Sequence, residues 1–483
     1  MKIPAQVIFA ALLAWFSVVD DADAQTQPQI QEAQSKLKQI GLNPGPIDGV
    51  WGDRTEAALA RFLRAQDMTF DGTLSDNELS LLRNIERLAN TSYTSNSRPI
   101  SHEVRLDGTV IFPRPELPQY LSPPPNDETL AHYFSRWLGE SQTPRYRVEG
   151  SANPRPLRIS ARSSSFLERQ LETGSVLSYL YYDGEQIIYD AHAPSDRFEP
   201  SFTVNNELMF RSNSVGKSFV AYLYGHAICA GYIDSIYSDF SDWKLLDGTL
   251  YSTTPAVDLL NMRGRDQHLV TEDEGFISSG RWFNGQTIET FASNELQGST
   301  PNSEQIYNYH GYATNILLNY IIYKTGNQWD SFLQNIIQNH IGFERDFLLQ
   351  GSQNPNTLGP GWYSFFATRY DYMRFAIAVL EDWQNETCVG QYLRDVHAER
   401  QPKGHNFNDP GRMTDVAKSY GGQMHFDFTG MQDRTLFGMN GQGNQTILID
   451  MDTGQIVTAN TAHTNYNWRR LVYDVIRFGS LPD

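Results

Sequence analysis

The sequence predicts an α+β protein in which an antiparallel sheet is flanked by helices, preceded by a small unit of three helices. Three observations carry that expectation. Residues 177–182 and 186–189 are rich in β-formers and flank Asp183-Gly184, a β-hairpin signal. Residues 446–450 and 455–459, joined by a turn at 451–454, repeat the pattern near the C-terminus. Between these hairpins the apolar runs have helical spacing, so strands come from both ends of one domain and helices from its middle. An amphipathic helix over residues 467–478, with Leu471, Val472, Val475 and Ile476 on one side, closes the chain.

At the N-terminus, Lys2, an apolar stretch over residues 7–19 and Ala22-Asp23-Ala24 before Gln25 read as a cleavable signal peptide over residues 1–24. That stretch is too short to span a bilayer, and no later segment reaches transmembrane length. A periplasmic or secreted protein is expected. Lys and Arg number 38 against 56 Asp and Glu, a formal charge of −18; removing Lys2, Asp20, Asp21 and Asp23 leaves −16. So acidic a chain argues against a nucleic-acid partner, because phosphate binding needs a basic surface. Hydrophobic residues at 40% and charged residues at 19% exclude a disordered or membrane-spanning class. At 483 residues the chain has room for more than one domain. Its two cysteines, Cys229 and Cys388, lie in a compartment that permits a disulfide, and the sequence leaves their pairing open.

Residues 30–85 read as three helices around a minimal core. Ile30, Ala33, Leu37 and Ile40 form a stripe that ends at Gly41, a helix C-cap. Residues 42–52 are dense in turn formers, Thr55 caps a helix over 56–65, and a third helix follows over 75–85. Leu37, Ile40, Val50, Leu59, Phe62, Leu63 and Leu79 are the expected core. Glycines in the loop supply positive φ, Asp48 an Asx-turn and Trp51 an apolar anchor. Gln34-x-x-Leu37, Gly41-Leu42, Ile47-Asp48-Gly49-x-Trp51-Gly52, Thr55, Ala58-Leu59, Phe62 and Asp71-Gly72 together resemble the peptidoglycan-binding domain found beside cell-wall hydrolases. The resemblance implies such a domain over 27–88, with peptidoglycan as partner and Asp48 and Trp51 in the binding site. It also implies that the protein is cell-wall associated. No metal-ligand cluster stands out, and neither metal nor cofactor is expected. Residues 89–127, rich in Ser, Asn, Thr and Pro and including Pro123-Pro124-Pro125, read as a linker to a domain over 128–483.

In that domain Ser214-Val215-Gly216-Lys217 opens an apolar run in which Phe219, Val220, Leu223, Ala227 and Ile228 recur at helical spacing. Ser214 and Lys217 therefore sit one turn apart at a helix N-terminus. The helix dipole and the free first-turn amides favour an alkoxide or oxyanion there. With partial burial, the same field favours a neutral Lys217 amine able to accept the Ser214 proton. S-x-x-K alone is weak, since about one chance match is expected in a chain this long. Ser35-Lys36-Leu37-Lys38 is such a match, in a helix of the small unit.

Further landmarks follow Ser214 in order. They are the block 210–219 around the nucleophile, Val257-Asp258-Leu259-Leu260-Asn261-Met262-Arg263-Gly264, and Tyr307 with Gly311-Tyr312 and a helix over 313–325. Gly361-Trp362-Tyr363-Ser364 with residues 370–375, and Gly441-Gln442-Gly443-Asn444-Gln445, complete the set. Together they resemble the serine β-lactamase-related superfamily, which holds class C β-lactamases, D-alanyl peptidases, family VIII esterases and 6-aminohexanoate-dimer hydrolases. The resemblance implies a β-lactamase/transpeptidase-like fold and a serine hydrolase. Ser214 would be the nucleophile, Lys217 its base and Tyr307 a second acid/base. The amides of Ser214 and Gln442 would form the oxyanion hole, with Asn440 and Gly441 lining the substrate site.

Lys324-Thr325-Gly326 spells the superfamily's third motif but ends an apolar helical run, so Gly326 reads as a C-cap. By order the third motif is Met439-Asn440-Gly441, with Met439 where a Lys or His is usual. Tyr309 likewise stands where β-lactamases have Asn. The missing cation removes the usual partner of a β-lactam or peptide carboxylate. The expected protein is an exported serine hydrolase acting on small ester or amide substrates through an acyl-enzyme. The alternatives are a peptidoglycan D-amino-acid peptidase and a penicillin-binding-like wall scaffold of weak activity.

Overall fold

The computed structural model describes residues 26–39, 44–64, 70–91, 103–104, 110–111, 126–131, 134, 145–199, 201–264, 266, 292, 296–297, 307–351, 360–404, 412–464 and 466–481. The expected signal peptide, Ile40 and most of the expected linker lie outside them. The chain divides into two units, Met1–Ser101 with Glu116–Pro123 and His102–Pro115 with Pro124–Asp483. Among the described residues no helix is long and apolar enough to cross a membrane.

The small unit is built from helices α1 (Gln27–Gln39), α2 (Asp53–Arg64) and α3 (Asp76–Thr91). Ala33, Leu37, Ala58, Leu59, Phe62, Leu63, Leu79 and Leu82 close its core. Val50 is not among them: its side chain is 62% exposed, which corrects the expectation that it is core. The polar hub is Gln34, buried beneath the loop. Its Nε2 donates to the Asp48 Oδ1 at 3.1 Å and to the Val50 carbonyl at 3.0 Å. Its Oε1 accepts from the Asp48 and Gly49 amides at 3.1 and 2.9 Å. One side chain thereby satisfies four groups of a loop that has no secondary structure to satisfy them.

In the large unit, strand β1 (Glu103–Val104) pairs antiparallel with β2 (Val110–Ile111) within the expected linker. The principal sheet has eight antiparallel strands in the order β5-β4-β14-β13-β12-β11-β10-β9. Its members are β4 (Val176–Tyr182), β5 (Ile187–His192), β9 (Gln401–Pro402), β10 (Ala417–Gly421), β11 (Met424–Phe428), β12 (Leu436–Gly441), β13 (Gln445–Asp450) and β14 (Ile456–Thr461). A second sheet, ordered β3-β7-β8-β6, comprises β3 (Arg145–Val148), β6 (Met209–Arg211), β7 (Phe347–Gly351) and β8 (Pro360–Thr368).

Both faces of the large sheet are covered, and the strands show it in period-2 alternation. Leu180, Ile447, Ile449 and Ile456 belong to one core; Tyr179, Tyr181, Leu448 and Val457 belong to the other. On the second face lie α4 (Ser165–Thr173), capped by the Ser164 hydroxyl, and the C-terminal helical segment from Arg469 to Phe478. The first face carries α5 (Val215–Cys229), α6 (Tyr312–Thr325), α7 (Trp329–Asn335), α8 (Arg369–Gln384) and α9 (Cys388–Ala398). Helix α5 is mostly apolar and is buried on every side by its neighbours. A Cys229–Cys388 disulfide joins its end to the start of α9, resolving the pairing that the sequence left open. Gly326, with φ of +52°, ends α6, so Lys324-Thr325-Gly326 is a helix terminus, as expected.

Candidate active site

Strand β6 delivers the chain to Ser214, and α5 starts immediately after it. Ser214 is half-buried, with φ and ψ of −75° and −6°, and its hydroxyl makes no capping hydrogen bond to the helix. An N-terminal serine usually caps the first turn; this one leaves its oxygen available for other chemistry. The preceding residue, Asn213, adopts the left-handed region at φ of 48°, which Asn tolerates better than most side chains. The turn is clamped from beneath: the Ser212 hydroxyl accepts from the Phe365 amide at 2.9 Å. A Cβ on Gly216 would lie 2.2 Å from the Tyr363 carbonyl oxygen, so only glycine lets the first turn of α5 approach β8 this closely.

One turn along, the Lys217 side chain is 1% exposed. Its ammonium lies 3.9 Å from the Tyr363 ring centroid and 5.0 Å from that of Tyr309, and donates to the His310 carbonyl at 3.4 Å. The aromatic faces and the carbonyl dipole offset the cost of burying the charge. His310 is itself buried, and its Nδ1 accepts from the Ala313 amide at 3.3 Å. Burial first, and then the neighbouring Lys217 charge, push this imidazole down to about 3, so it is a neutral ring.

Tyr307 is half-buried just before α6, and its ring centroid is 5.2 Å from that of Tyr420 on β10. Tyr309 meets the same Tyr420 ring at 5.9 Å, edge-on. Tyr307, Tyr309, Tyr420, Tyr363 and Lys217 therefore form one continuous cluster. The Asn308 amide donates to the Met262 carbonyl at 2.8 Å, seating this segment on the Val257–Gly264 landmark. Gln423, in the β10–β11 turn, ties the supports together. Its carbonyl accepts from Ser218 at 2.6 Å, its Oε1 from Thr314 at 2.9 Å, and its Nε2 donates to the Leu259 carbonyl at 2.7 Å.

Met439-Asn440-Gly441, the expected third motif, ends β12. Gly441 ends the strand against the nucleophile turn, where an added Cβ would lie 2.4 Å from the Ser212 carbonyl oxygen. Gln442 follows, and its carbonyl accepts from the Asn213 Nδ2 at 2.8 Å. Asn440 is half-buried and donates to the Asn444 Oδ1 at 3.0 Å, which rigidifies the β12–β13 turn. Met439 is buried at 1% exposure. Ser214, Lys217, Tyr307, Asn440, Gly441 and Gln442 thus come from one continuous region, although the sequence spreads them over more than two hundred residues. Asp48 and Trp51 lie in the small unit. There Asp48 accepts from the Val50 amide at 2.9 Å in the expected Asx-turn, and Trp51 packs on Phe70 at 6.3 Å between centroids.

Sequence reading missed Asn213 as a tether, Tyr363 as a wall of the lysine site, Tyr420 as the ring on which Tyr307 and Tyr309 pack, and His310 as the residue whose carbonyl accepts from Lys217. Tyr420 lies outside every motif block, and the role of each of these residues depends on contacts made across the fold.

Residues 26–82 match the family described as "Putative peptidoglycan binding domain". No curated protein matches the chain in sequence. Among solved structures, the "Putative 6-aminohexanoate-dimer hydrolase from Bacillus anthracis" superimposes with a TM-score of 0.53 at 13% identity, covering 74% of this chain and 96% of that one. A D-stereospecific amidohydrolase from Streptomyces sp. gives a TM-score of 0.46 at 14% identity, over 63% of this chain and 94% of that one. A β-lactamase/D-alanine carboxypeptidase from Pseudomonas syringae gives 0.47 at 13% identity, over 63% and 94%. Residues 26–82 therefore carry a peptidoglycan-binding domain, and the large unit has the β-lactamase/transpeptidase fold.

Proposed function

We propose that the protein is an exported serine hydrolase of small esters or amides, held at the cell wall by its N-terminal unit. The observation that carries this reading is a serine hydroxyl free of its capping role, one helical turn from a buried lysine enclosed by tyrosines. The Ser214 oxygen attacks the substrate carbonyl while its proton passes to Lys217, which accepts it as the neutral amine. The oxyanion forms against the amides of Ser214 and Gln442. Tyr307 gives a proton to the departing alkoxide or amine, leaving an acyl-Ser214 ester. Water, deprotonated by the same groups, then cleaves that ester and restores the serine. The apolar Met439 disfavours substrates that need a carboxylate partner, which supports neutral acyl donors over β-lactams. Residues 1–24 would direct export, and Asp48 and Trp51, beside the exposed Ile47 and Val50, would meet peptidoglycan.

Labelling with a fluorophosphonate followed by intact-mass measurement tests the nucleophile. One adduct is expected, mapping to Ser214 and absent in Ser214→Ala, together with loss of p-nitrophenyl ester hydrolysis. Undiminished hydrolysis by Ser214→Ala sinks the assignment. The wall-binding domain also favours a second reading, a D-amino-acid peptidase, and stoichiometric acylation by a fluorescent penicillin would support that instead.

A further inference from the structure

At the opposite end of α5 from Ser214, three ligand-type side chains converge. An imidazole nitrogen of His226, one of His340 and a carboxylate oxygen of Asp382 lie within 4.8 Å of one another. Among the described residues this is the only group of three such side chains so placed. They come from three helical elements: His226 from the last turn of α5, Asp382 from α8, and His340 from the π-helical segment Ile336–Ile341 that continues α7. Inserted π-turns are frequent at functional sites because they rotate one side chain out of helical register.

Within this cluster the three side chains are not equally satisfied. The His340 Nε2 is 2.9 Å from both the Asp382 Oδ2 and the Tyr222 hydroxyl, and Tyr222 donates to the same Oδ2 at 2.5 Å. Thr387 donates to the other carboxylate oxygen at 2.8 Å. The His226 Nε2, by contrast, is buried and has no hydrogen-bond partner. A buried polar atom left without a partner is costly and calls for a cause. The ring is fixed all the same, edge-on to Tyr222 at 4.7 Å and to His340 at 4.6 Å between centroids.

We propose that His226, His340 and Asp382 form a structural zinc site, with the Tyr222 oxygen or a water as fourth ligand. Two imidazoles and a carboxylate are a donor set suited to Zn²⁺. With metal–ligand bonds near 2.0–2.2 Å, tetrahedral ligand atoms sit roughly 3.3 Å apart, which the present spacing reaches by small side-chain rotations. The His340 side chain is 35% exposed and gives the ion a route in, while Asp382 is buried at 3%. The Thr387 hydrogen bond orients the carboxylate from behind, as outer partners of metal ligands do. The site lies one turn from Cys229, so ion and disulfide would together fasten the end of the nucleophile helix to α8 and α9.

The test uses the full-length protein, stripped with chelator and titrated with zinc alone. One equivalent should bind and raise Tm, with the rise reversed by EDTA. His226→Phe keeps an aromatic ring in the same packing and breaks no hydrogen bond to Nε2, so it should fold, lose the zinc-dependent rise and keep parental ester hydrolysis. Cobalt(II) titration of the unmodified protein supplies a readout independent of any variant: saturable visible absorption of the four-coordinate type is expected. Zinc binding that persists unchanged in His226→Phe would overturn the proposal. So would the absence of both the Tm shift and the cobalt bands in the parent, which would make the cluster a hydrogen-bond network alone.

Discussion

Asn213 reaches from the residue before the nucleophile to the turn after β12, where its Nδ2 donates to the Gln442 carbonyl at 2.8 Å. This hydrogen bond ties the residue before the nucleophile to Gln442, the residue whose amide is proposed to face the oxyanion. Orienting the Gln442 carbonyl toward Asn213 fixes the plane of the peptide that follows it, while the Gln442 amide belongs to the preceding peptide, closed by Gly441. Both ends of the coupling are constrained, Asn213 by its left-handed backbone and Gly441 by its contact with Ser212.

Two substitutions at position 213 separate tether from backbone. Asn213→Gly accepts positive φ and removes only the side chain, and should lower kcat about 10²-fold, as loss of oxyanion alignment does. Asn213→Ala should show that loss plus roughly 1 kcal/mol of destabilisation from the left-handed conformation. Parental kcat in Asn213→Gly, by steady-state ester hydrolysis, would show that the tether does not position Gln442.

Gly441→Ala probes the same junction from the strand side. Its Cβ would lie 2.4 Å from the Ser212 carbonyl oxygen and 3.2 Å from the Asn213 Cβ, and neither is the free end of a flexible side chain. The end of β12 must move away from α5, and a displacement of about 1 Å in such a site costs on the order of 10²-fold in rate. The prediction is a fall of that size in kcat/KM with a cooperative unfolding transition retained. A variant as fast as the parent would place catalysis elsewhere than at this junction.

How much of this was legible in the sequence depends on the range of the interactions involved. The hairpins around Asp183-Gly184 and residues 451–454 were legible because local turn chemistry and β-formers agree there. Helix α5 was legible from its apolar run, and Lys324-Thr325-Gly326 was recognised as a helix end because periodicity outweighs a three-letter match. The placement of Met439-Asn440-Gly441 on a strand beside Ser214 followed from motif order. What stayed hidden is long-range: the rings of Tyr363 and Tyr420 around Lys217 and Tyr307, the convergence of His226 with His340, and the disulfide. Val50 shows the limit of hydrophobicity as a guide, since in a short loop the buried post was taken by the polar Gln34.

The disulfide closes a loop of 159 residues, for which chain entropy sets an upper stabilisation of about 5 kcal/mol. Reduction should therefore lower the urea midpoint clearly, with thiol titration reporting two thiols, while ester hydrolysis at 25 °C persists because Cys229 lies at the far end of α5 from Ser214. An unchanged midpoint in the fully reduced protein would mean that the bond constrains little.

Lys403 provides a pH test. It is buried, its Nζ donates to the Thr414 carbonyl at 2.9 Å, and burial, opposed by the Asp415 charge, pushes its ammonium down to about 8. An unfolded lysine titrates near 10.4. Below pH 8 the side chain is charged in both states, so the folded protein bears the full desolvation cost. As pH rises from 8 toward 10.4 the folded lysine releases its proton first and the cost fades. Lys403→Met removes the charge at every pH. Relative to the parent it should gain most at pH 7, up to roughly 3 kcal/mol less about 1 kcal/mol for the lost hydrogen bond. The gain should shrink at pH 9 and nearly vanish at pH 10. Because the buried tyrosines titrate alike in both proteins, the difference between paired urea curves isolates Lys403. A difference independent of pH would show that Lys403 titrates as an ordinary surface lysine despite its burial.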